Sequence, residues 1–148
     1  MSMRRAVVFI NPSRLEAVKA AEELAQILTS QNFELVTPTD VTISKIAQVS
    51  IEEIGDVEVA VVLGGDGTIL RGAEVTLTRD IPLLGINLGH VGFLAEVQKP
   101  EISAIAQSIV DKSYVYENRM VLGYSVQRDG VEISQGWALN EITVERDS

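Results

Sequence analysis

Residues 6–10 (Ala-Val-Val-Phe-Ile) form an unbroken apolar run that stops at Asn11-Pro12, the pattern of a short buried strand closed by a turn. Ser13 is placed to cap a helix running to about Ser30, with Leu15, Val18, Ala21, Leu24 and Leu28 on one face. A strand is predicted near residues 34–37, followed by a stretch without clear period to about Asp56. Residues 57–63 (Val-Glu-Val-Ala-Val-Val-Leu) are almost wholly apolar, as a central parallel strand covered on both faces requires. Glycines 64–67 break that run. A helix then begins near Thr68 with Ile69, Leu70, Ala73 and Leu77 inward, and residues 82–87 give another short buried strand. Lys99-Pro100-Glu101 opens a last helix whose inward face is Ile102, Ile105, Ala106 and Ile109.

From Tyr114 onward the period changes to two. Leu122, Tyr124 and Val126 alternate with polar neighbours, Asp129-Gly130 is a strong hairpin turn, and Ile142 and Val144 continue the alternation. The fold class expected is therefore α/β, with a parallel-sheet domain over residues 1–112 and the opening strands of an all-β unit over 113–148. About three strands are too few to close a sandwich or protect its edges, so the second unit reads as incomplete. Its unpaired strands should seek partners, which favours self-association.

Composition removes several function classes. The chain has 148 residues, 46% hydrophobic and 22% charged, as in ordinary globular proteins. No apolar run approaches the length that spans a bilayer, and the run after Arg4-Arg5 is too short for a signal-peptide core. Cysteine is absent, so neither disulfides nor thiolate metal sites enter, and a cytoplasmic location is expected. A formal net charge of −9 opposes general binding of nucleic-acid backbone. Any phosphate site must then rest on backbone N–H groups, a few arginines and divalent cations.

One segment offers such a site. Gly64-Gly65-Asp66-Gly67-Thr68 lies between a buried strand and a helix. Glycines there permit positive φ and let a ligand approach without a Cβ in the way, and the helix N-terminus offers free N–H donors. Thr68 could cap that helix and donate its hydroxyl. Asp66 would repel a phosphate unless it accepts a proton from an attacking hydroxyl or organises Mg²⁺. The plainer alternative is a tight turn in which Asp66 supplies turn hydrogen bonds. The position at the carboxyl end of a central strand, where open α/β sheets bind ligands, favours the functional alternative. The segment is neither a Walker A loop, lacking its lysine, nor a GxGxxG fingerprint.

Gly-Gly-Asp-Gly-Thr resembles the motif of NAD kinases, diacylglycerol-type lipid kinases and, more distantly, phosphofructokinases. Residues 84–96 (Leu-Gly-Ile-Asn-Leu-Gly-His-Val-Gly-Phe-Leu-Ala-Glu) look like the G-x-N-x-G-x-x-G-F-L segment of NAD kinases. Residues 138–144 (Ala-Leu-Asn-Glu-Ile-Thr-Val) resemble that family's second motif, and Arg71 follows the glycine loop as it does there. The resemblance is to bacterial NAD kinases and covers essentially the whole chain. It implies a Rossmann-like, phosphofructokinase-like first domain and a β-sandwich second domain. The activity implied is transfer of the γ-phosphoryl of ATP, or of a polyphosphate phosphoryl, to the 2′-hydroxyl of the adenosine ribose of NAD, with Mg²⁺ or another divalent cation.

Residue by residue, the resemblance makes Asp66 the catalytic group. Gly64, Gly65, Gly67 and Thr68 would cradle phosphates and Arg71 would offset their charge; Asn87 falls in the 84–96 segment among the nucleotide contacts, and Phe93 would lie against adenine. Asn140 and Glu141 would hold ribose hydroxyls and amides. Each also admits a structural role: Phe93 and Leu94 as core, Asn87 as a turn former, Glu141 as a solvated face residue. His90, the sole histidine, reads as a surface position and Trp137 as packing. The family's sandwich carries further substrate residues that do not occur here, so the 148-residue chain alone is expected to be inactive. The resemblance also implies homo-oligomers, dimeric or tetrameric. A lipid kinase sharing the glycine loop and an inactive nucleotide-binding module are the competing functions.

Overall fold

The computed structural model describes residues 3–87, 102–113 and 122–138, and divides the chain into two compact units, Met1–Tyr114 and Val115–Ser148. In the first unit the strands β1 (Arg4–Ile10), β2 (Phe33–Thr37), β3 (Ile46–Gln48), β4 (Val59–Gly64) and β5 (Leu83–Asn87) form one sheet, ordered β3-β2-β1-β4-β5. All four pairings are parallel. The helices are α1 (Leu15–Ser30), α2 (Asp66–Thr76) and α3 (Ile102–Asp111), with a 3₁₀ turn at Ile51–Glu53.

Alternation along β1 and β4 explains the three layers. Ala6, Val8 and Ile10, with Val59, Val61 and Leu63, join the core built with α1 and α3. Val7, Phe9, Ala60 and Val62 face the other way, into a core closed by Ile54 and by Ile69 and Val75 of α2. Both central strands are buried on both faces, which is why they read as continuous apolar runs.

α1 docks through a small-residue face: Ala17, Ala20, Ala21 and Ala25, with Leu24 and Leu28, are all buried. Alanines favour the helix and let it lie close to the sheet. Leu15 was expected on this face but is 64% exposed, because it stands at the first helical position, beyond the sheet. Nor does Ser13 cap the helix. The cap position is held by Arg14, whose side chain does not bond to the first turn of the helix, while the Ser13 amide and hydroxyl both donate to Asn11 Oδ1 at 3.1 and 2.7 Å. The helix ends at Ser30, and Asn32, with a φ of 65°, reverses the chain into β2.

α2 departs further from expectation. It starts at Asp66, and its buried residues are Thr68, Gly72, Ala73 and Thr76, whereas Leu70 and Leu77 are each 45% exposed. The helix packs through its smallest residues, which allow the closest approach to the sheet. The expectation had followed the bulkiest side chains instead. In α3, Ile102, Ala106 and Ile109 are buried and Ile105 packs beside them, as the period predicts. The stretch before Asp56 holds β3 and the 3₁₀ turn, too short to carry a period.

In the second unit, β6 (Leu122–Arg128) and β7 (Val131–Ala138) form an antiparallel hairpin. Asp129 and Gly130 both have positive φ (53° and 80°), the two-residue turn that this dipeptide favours. Ile142 and Val144 lie outside the described residues.

Arg4 ties the first and last elements of the first unit together. Its guanidinium donates to Glu58 (Nε to Oε2, 3.0 Å) and to the carbonyls of Ile109 and Val110 at the end of α3, at 3.0 and 2.8 Å. The same group sits 4.4 Å from the Phe33 ring centroid. A cation at a helix C-terminus satisfies carbonyls that have no intrahelical donor. Arg4→Met keeps the stem and removes the charge, so we expect a loss of about 1–3 kcal/mol, read as a lower urea midpoint at unchanged m-value. An unchanged midpoint would remove this clamp from the account of the fold.

Candidate functional site

In this strand order the chain leaves β1 toward β2 on one side and returns to β4 on the other. The carboxyl ends of β1 and β4 therefore flank a topological switch point, the place where open α/β sheets bind ligands. Asn11 follows β1 and Gly64 ends β4, and the Asn11 amide donates to the Leu63 carbonyl at 3.0 Å, joining the two strand ends. Asn87, at the end of β5, pairs in register with Gly64 and so reaches the same edge of the sheet.

The glycine loop is a direct strand-to-helix junction. Gly65 is the cap of α2, with φ −108° and ψ −164°, and no described side chain bonds to the first turn. None of Gly64, Gly65 and Gly67 has a positive φ, so the glycines are not there for left-handed backbone. Gly64 is required for closeness. A Cβ there would lie 2.7 Å from Thr68 Oγ1, 3.0 Å from Thr68 Cβ and 3.2 Å from Asn11 Cβ. Among the described residues a Cβ at Gly65 or Gly67 would meet nothing within 4 Å, so none of them fills the space in front of the helix.

Thr68 is corrected from cap to packing residue: its side chain is buried against Gly64, and its amide donates to the Gly65 carbonyl at 3.1 Å. The amides of Asp66 and Gly67, the two residues before it, have no intrahelical acceptor and stand where an anion is favoured. Asp66 is exposed in this first turn, where a carboxylate also favours the helix dipole. Among the described residues no group of three or more acidic or histidine side chains could hold a metal.

Arg71 is exposed one turn along α2 and lines a cleft of about 220 Å³. Its other walls are Phe9, Pro12, Pro38, Thr39, Asp40, Ile51 and Val75, drawn from the ends of β1 and β2, the 3₁₀ turn and α2. Sequence reasoning passed over most of these. Asn11-Pro12 registered only as a strand breaker, although an acid just past the second strand, Asp40, is a usable signal for a ribose contact. Phe93, Asn140 and Glu141 lie outside the described residues, as do His90 and Leu94.

The 3₁₀ turn that presents Ile51 is fixed by a capping box: the Ser50 hydroxyl and amide donate to Glu53 Oε1 at 2.7 and 3.2 Å. Those two bonds hold the Glu53 carboxyl below its ordinary range. A lowered folded value contributes order above the ordinary carboxylate range, lost as pH falls through the lowered one. Carboxyl-carbon NMR titration should show Glu53 titrating below the ordinary glutamate range, and Ser50→Ala should bring it back into that range.

A parallel sheet with helices on both faces and a helix N-terminus at its switch point define an open α/β domain of the kind that takes ligands at this edge. The fold is that of yeast NADH kinase crystallised with NADH, at a TM-score of 0.67 and 18% identity over 93% of this chain and 44% of that one. Residues 7–114 match the ATP-NAD kinase N-terminal domain, and the chain belongs to this family. It is 35% identical over 151 residues to the NAD kinase of Cutibacterium acnes, covering 97% of this chain and 48% of the relative. NAD kinase 2 of Streptomyces avermitilis is 33% identical, covering 97% and 50%. The NAD kinase of Mycolicibacterium paratuberculosis is 47% identical over 89 residues, 60% of this chain and 29% of the relative. The chain spans about half the length, or less, of the curated relatives it matches.

The contrast among the glycines is testable. Gly64→Ala should cost about 1–3 kcal/mol, because Thr68 and Asn11 must both move. Gly65→Ala and Gly67→Ala should stay within about 1 kcal/mol of the parent. Urea unfolding of the three variants separates them; equal losses would show that closeness at Gly64 is not the constraint.

Proposed function

We propose that this chain is the phosphate-binding and catalytic half of an NAD kinase, moving the γ-phosphoryl of a donor onto the 2′-hydroxyl of the adenosine ribose of NAD. The observation that carries the proposal is the glycine loop at the switch point. It combines two amides without an intrahelical acceptor, positions Gly65 and Gly67 that no described residue crowds, and an exposed Asp66, inside a chain of this family.

The residues suit the reaction. Phosphoryl transfer needs positioning and charge stabilisation more than covalent chemistry. The amides of Asp66 and Gly67 bind phosphate oxygens, and Arg71 offsets charge from the next turn of α2. Asp66 accepts the proton of the attacking hydroxyl or orients the hydroxyl toward the phosphorus. A lone exposed carboxylate fits Mg²⁺, which keeps several waters and is usually held by one or two carboxylates and the substrate's own phosphates. When bound, the cation would neutralise charge on those phosphates, with Asp66 as its one protein ligand here. Asn87 belongs to the same edge of the sheet, and Phe93, Asn140 and Glu141 complete the proposed NAD contacts. Residues 113–148 would begin the all-β NAD-binding domain. A cytoplasmic homo-oligomer fits this reading, which includes neither a membrane nor nucleic acid.

The chain by itself is proposed to bind nucleotide without turnover. Supplied with the C-terminal half of the Cutibacterium acnes relative as a fusion, it should form NADP from NAD, ATP and Mg²⁺, followed by a dehydrogenase-coupled absorbance assay. Asp66→Asn in that fusion should lower turnover by about 10²–10⁴-fold without changing the unfolding midpoint. A fusion that binds both nucleotides yet forms no NADP sinks the kinase reading and leaves a binding module. Phosphorylation of diacylglycerol by the fusion would transfer the assignment to lipid kinases.

A further inference from the structure

Asn11, the residue after β1, has no part in the chemistry above. Its main chain is fixed twice: its amide donates to the Leu63 carbonyl at 3.0 Å, and its carbonyl accepts from the Arg14 amide at 3.2 Å. The second bond closes the turn Asn11-Pro12-Ser13-Arg14, with Asn and Pro at the positions such a turn favours. The side chain is fixed as well. A backbone N–H can only donate, so the atom that the Ser13 amide meets at 3.1 Å is the carboxamide oxygen, and the Ser13 hydroxyl adds a second bond to it at 2.7 Å. Both bonds hold Oδ1, which leaves the NH₂ group as a pure donor with its orientation set. Among the described residues no acceptor takes it.

The neighbourhood of this donor follows from Gly64. A Cβ there would lie 3.2 Å from Asn11 Cβ and 2.7 Å from Thr68 Oγ1, so its absence leaves Asn11 and Thr68 side by side across the base of the glycine loop. Thr68 is only 9% exposed, yet its hydroxyl too has no partner among the described residues. Every fully enclosed side-chain nitrogen or oxygen among those residues is paired, so this hydroxyl stays open to solvent. Polar groups in such places are ordinarily paired, and two unpaired donors beside a helix start call for an acceptor that the described chain does not supply. The turn itself needs only Oδ1, which Asp or Ser would provide equally. What asparagine adds is the NH₂ group, without the charge that an aspartate would set against a phosphate.

We propose that the Asn11 carboxamide is a phosphate ligand. Its NH₂ group donates to an oxygen of the donor's phosphate chain from the β1 side, while the amides of Asp66 and Gly67 hold that chain from the α2 side. This rests on the phosphate-loop reading above and adds to it a residue that lies outside the glycine loop and both other motifs.

The test uses the 148-residue chain in Mg²⁺ buffer, with tripolyphosphate and NAD as separate probes, followed by NMR and calorimetry. Asn11→Ser keeps an oxygen for the Ser13 amide and removes the NH₂ group, and it identifies the Asn11 carboxamide signals by their loss. Tripolyphosphate should shift those signals together with the amides of Gly65 and Gly67. Asn11→Ser should bind it about tenfold more weakly at an unchanged unfolding midpoint. Asn11→Asp, of the same shape and equally able to accept, should weaken it further, and the extra loss should shrink at high salt. A lowered midpoint with unchanged affinity for tripolyphosphate would make Asn11 a turn former only and overturn the inference. So would a carboxamide that stays still while the loop amides shift, or one that moves with NAD alone; the phosphate loop would stand in each case. Because the carboxamide is read in the parent chain, this result holds even where a variant fails to fold. If tripolyphosphate shifts neither Asn11 nor residues 65–68, both readings fall.

Discussion

β1 is hydrogen-bonded along both edges and covered on both faces, and the rest of the first unit is arranged around that fact. A strand flanked by β2 and β4, both parallel to it, must send the chain away on one side and receive it back on the other. Parallel neighbours need crossovers, and the crossovers lay α1 and α2 on opposite faces of the sheet. The edge at which the crossovers begin collects the loops after β1, β2 and β4. What binds there is then decided by a handful of residues on those loops, since the strands below them are committed to packing.

The site shows how little backbone tolerance this arrangement leaves at its centre. Gly64 is pressed between Asn11 and Thr68, so the strand ends and the helix start are held at a fixed separation. One residue later the crowding ends, and no described residue stands against Gly65 or Gly67. The loop thus combines a rigid base with an accessible rim. That combination lets backbone amides hold a charged ligand at little reorganisation cost.

The architecture was largely legible in the sequence because burial on both faces leaves a plain mark: residues 6–10 and 59–63 have no polar position to confuse the period. Local competitions were harder to read. Ser13 is a good capping residue, yet Asn11 captured its hydroxyl and amide; Thr68 is another, yet Gly65 turned the chain into helix before it. Leu70 and Leu77 looked like core until the small face of α2 took the sheet. The glycine loop was legible as a contiguous motif. The cleft was not, because Pro12, Asp40, Ile51 and Arg71 meet only once four separate segments are folded.

The Arg4 clamp bears on how such a domain is made. Arg4 is near the beginning of the chain, but one of its acceptors, the Val110 carbonyl, is 106 residues further on, and its carboxylate partner is 54 residues on. At ribosomal speeds of about 5–20 residues per second, the first strand waits on the order of ten seconds before those acceptors have been synthesised. Its inner neighbour β4 is as late as Glu58. A strand whose residues 6–10 are buried in the finished domain thus waits longest for its neighbours during biosynthesis, and a nascent chain of this kind depends on whatever shields those residues in the interval.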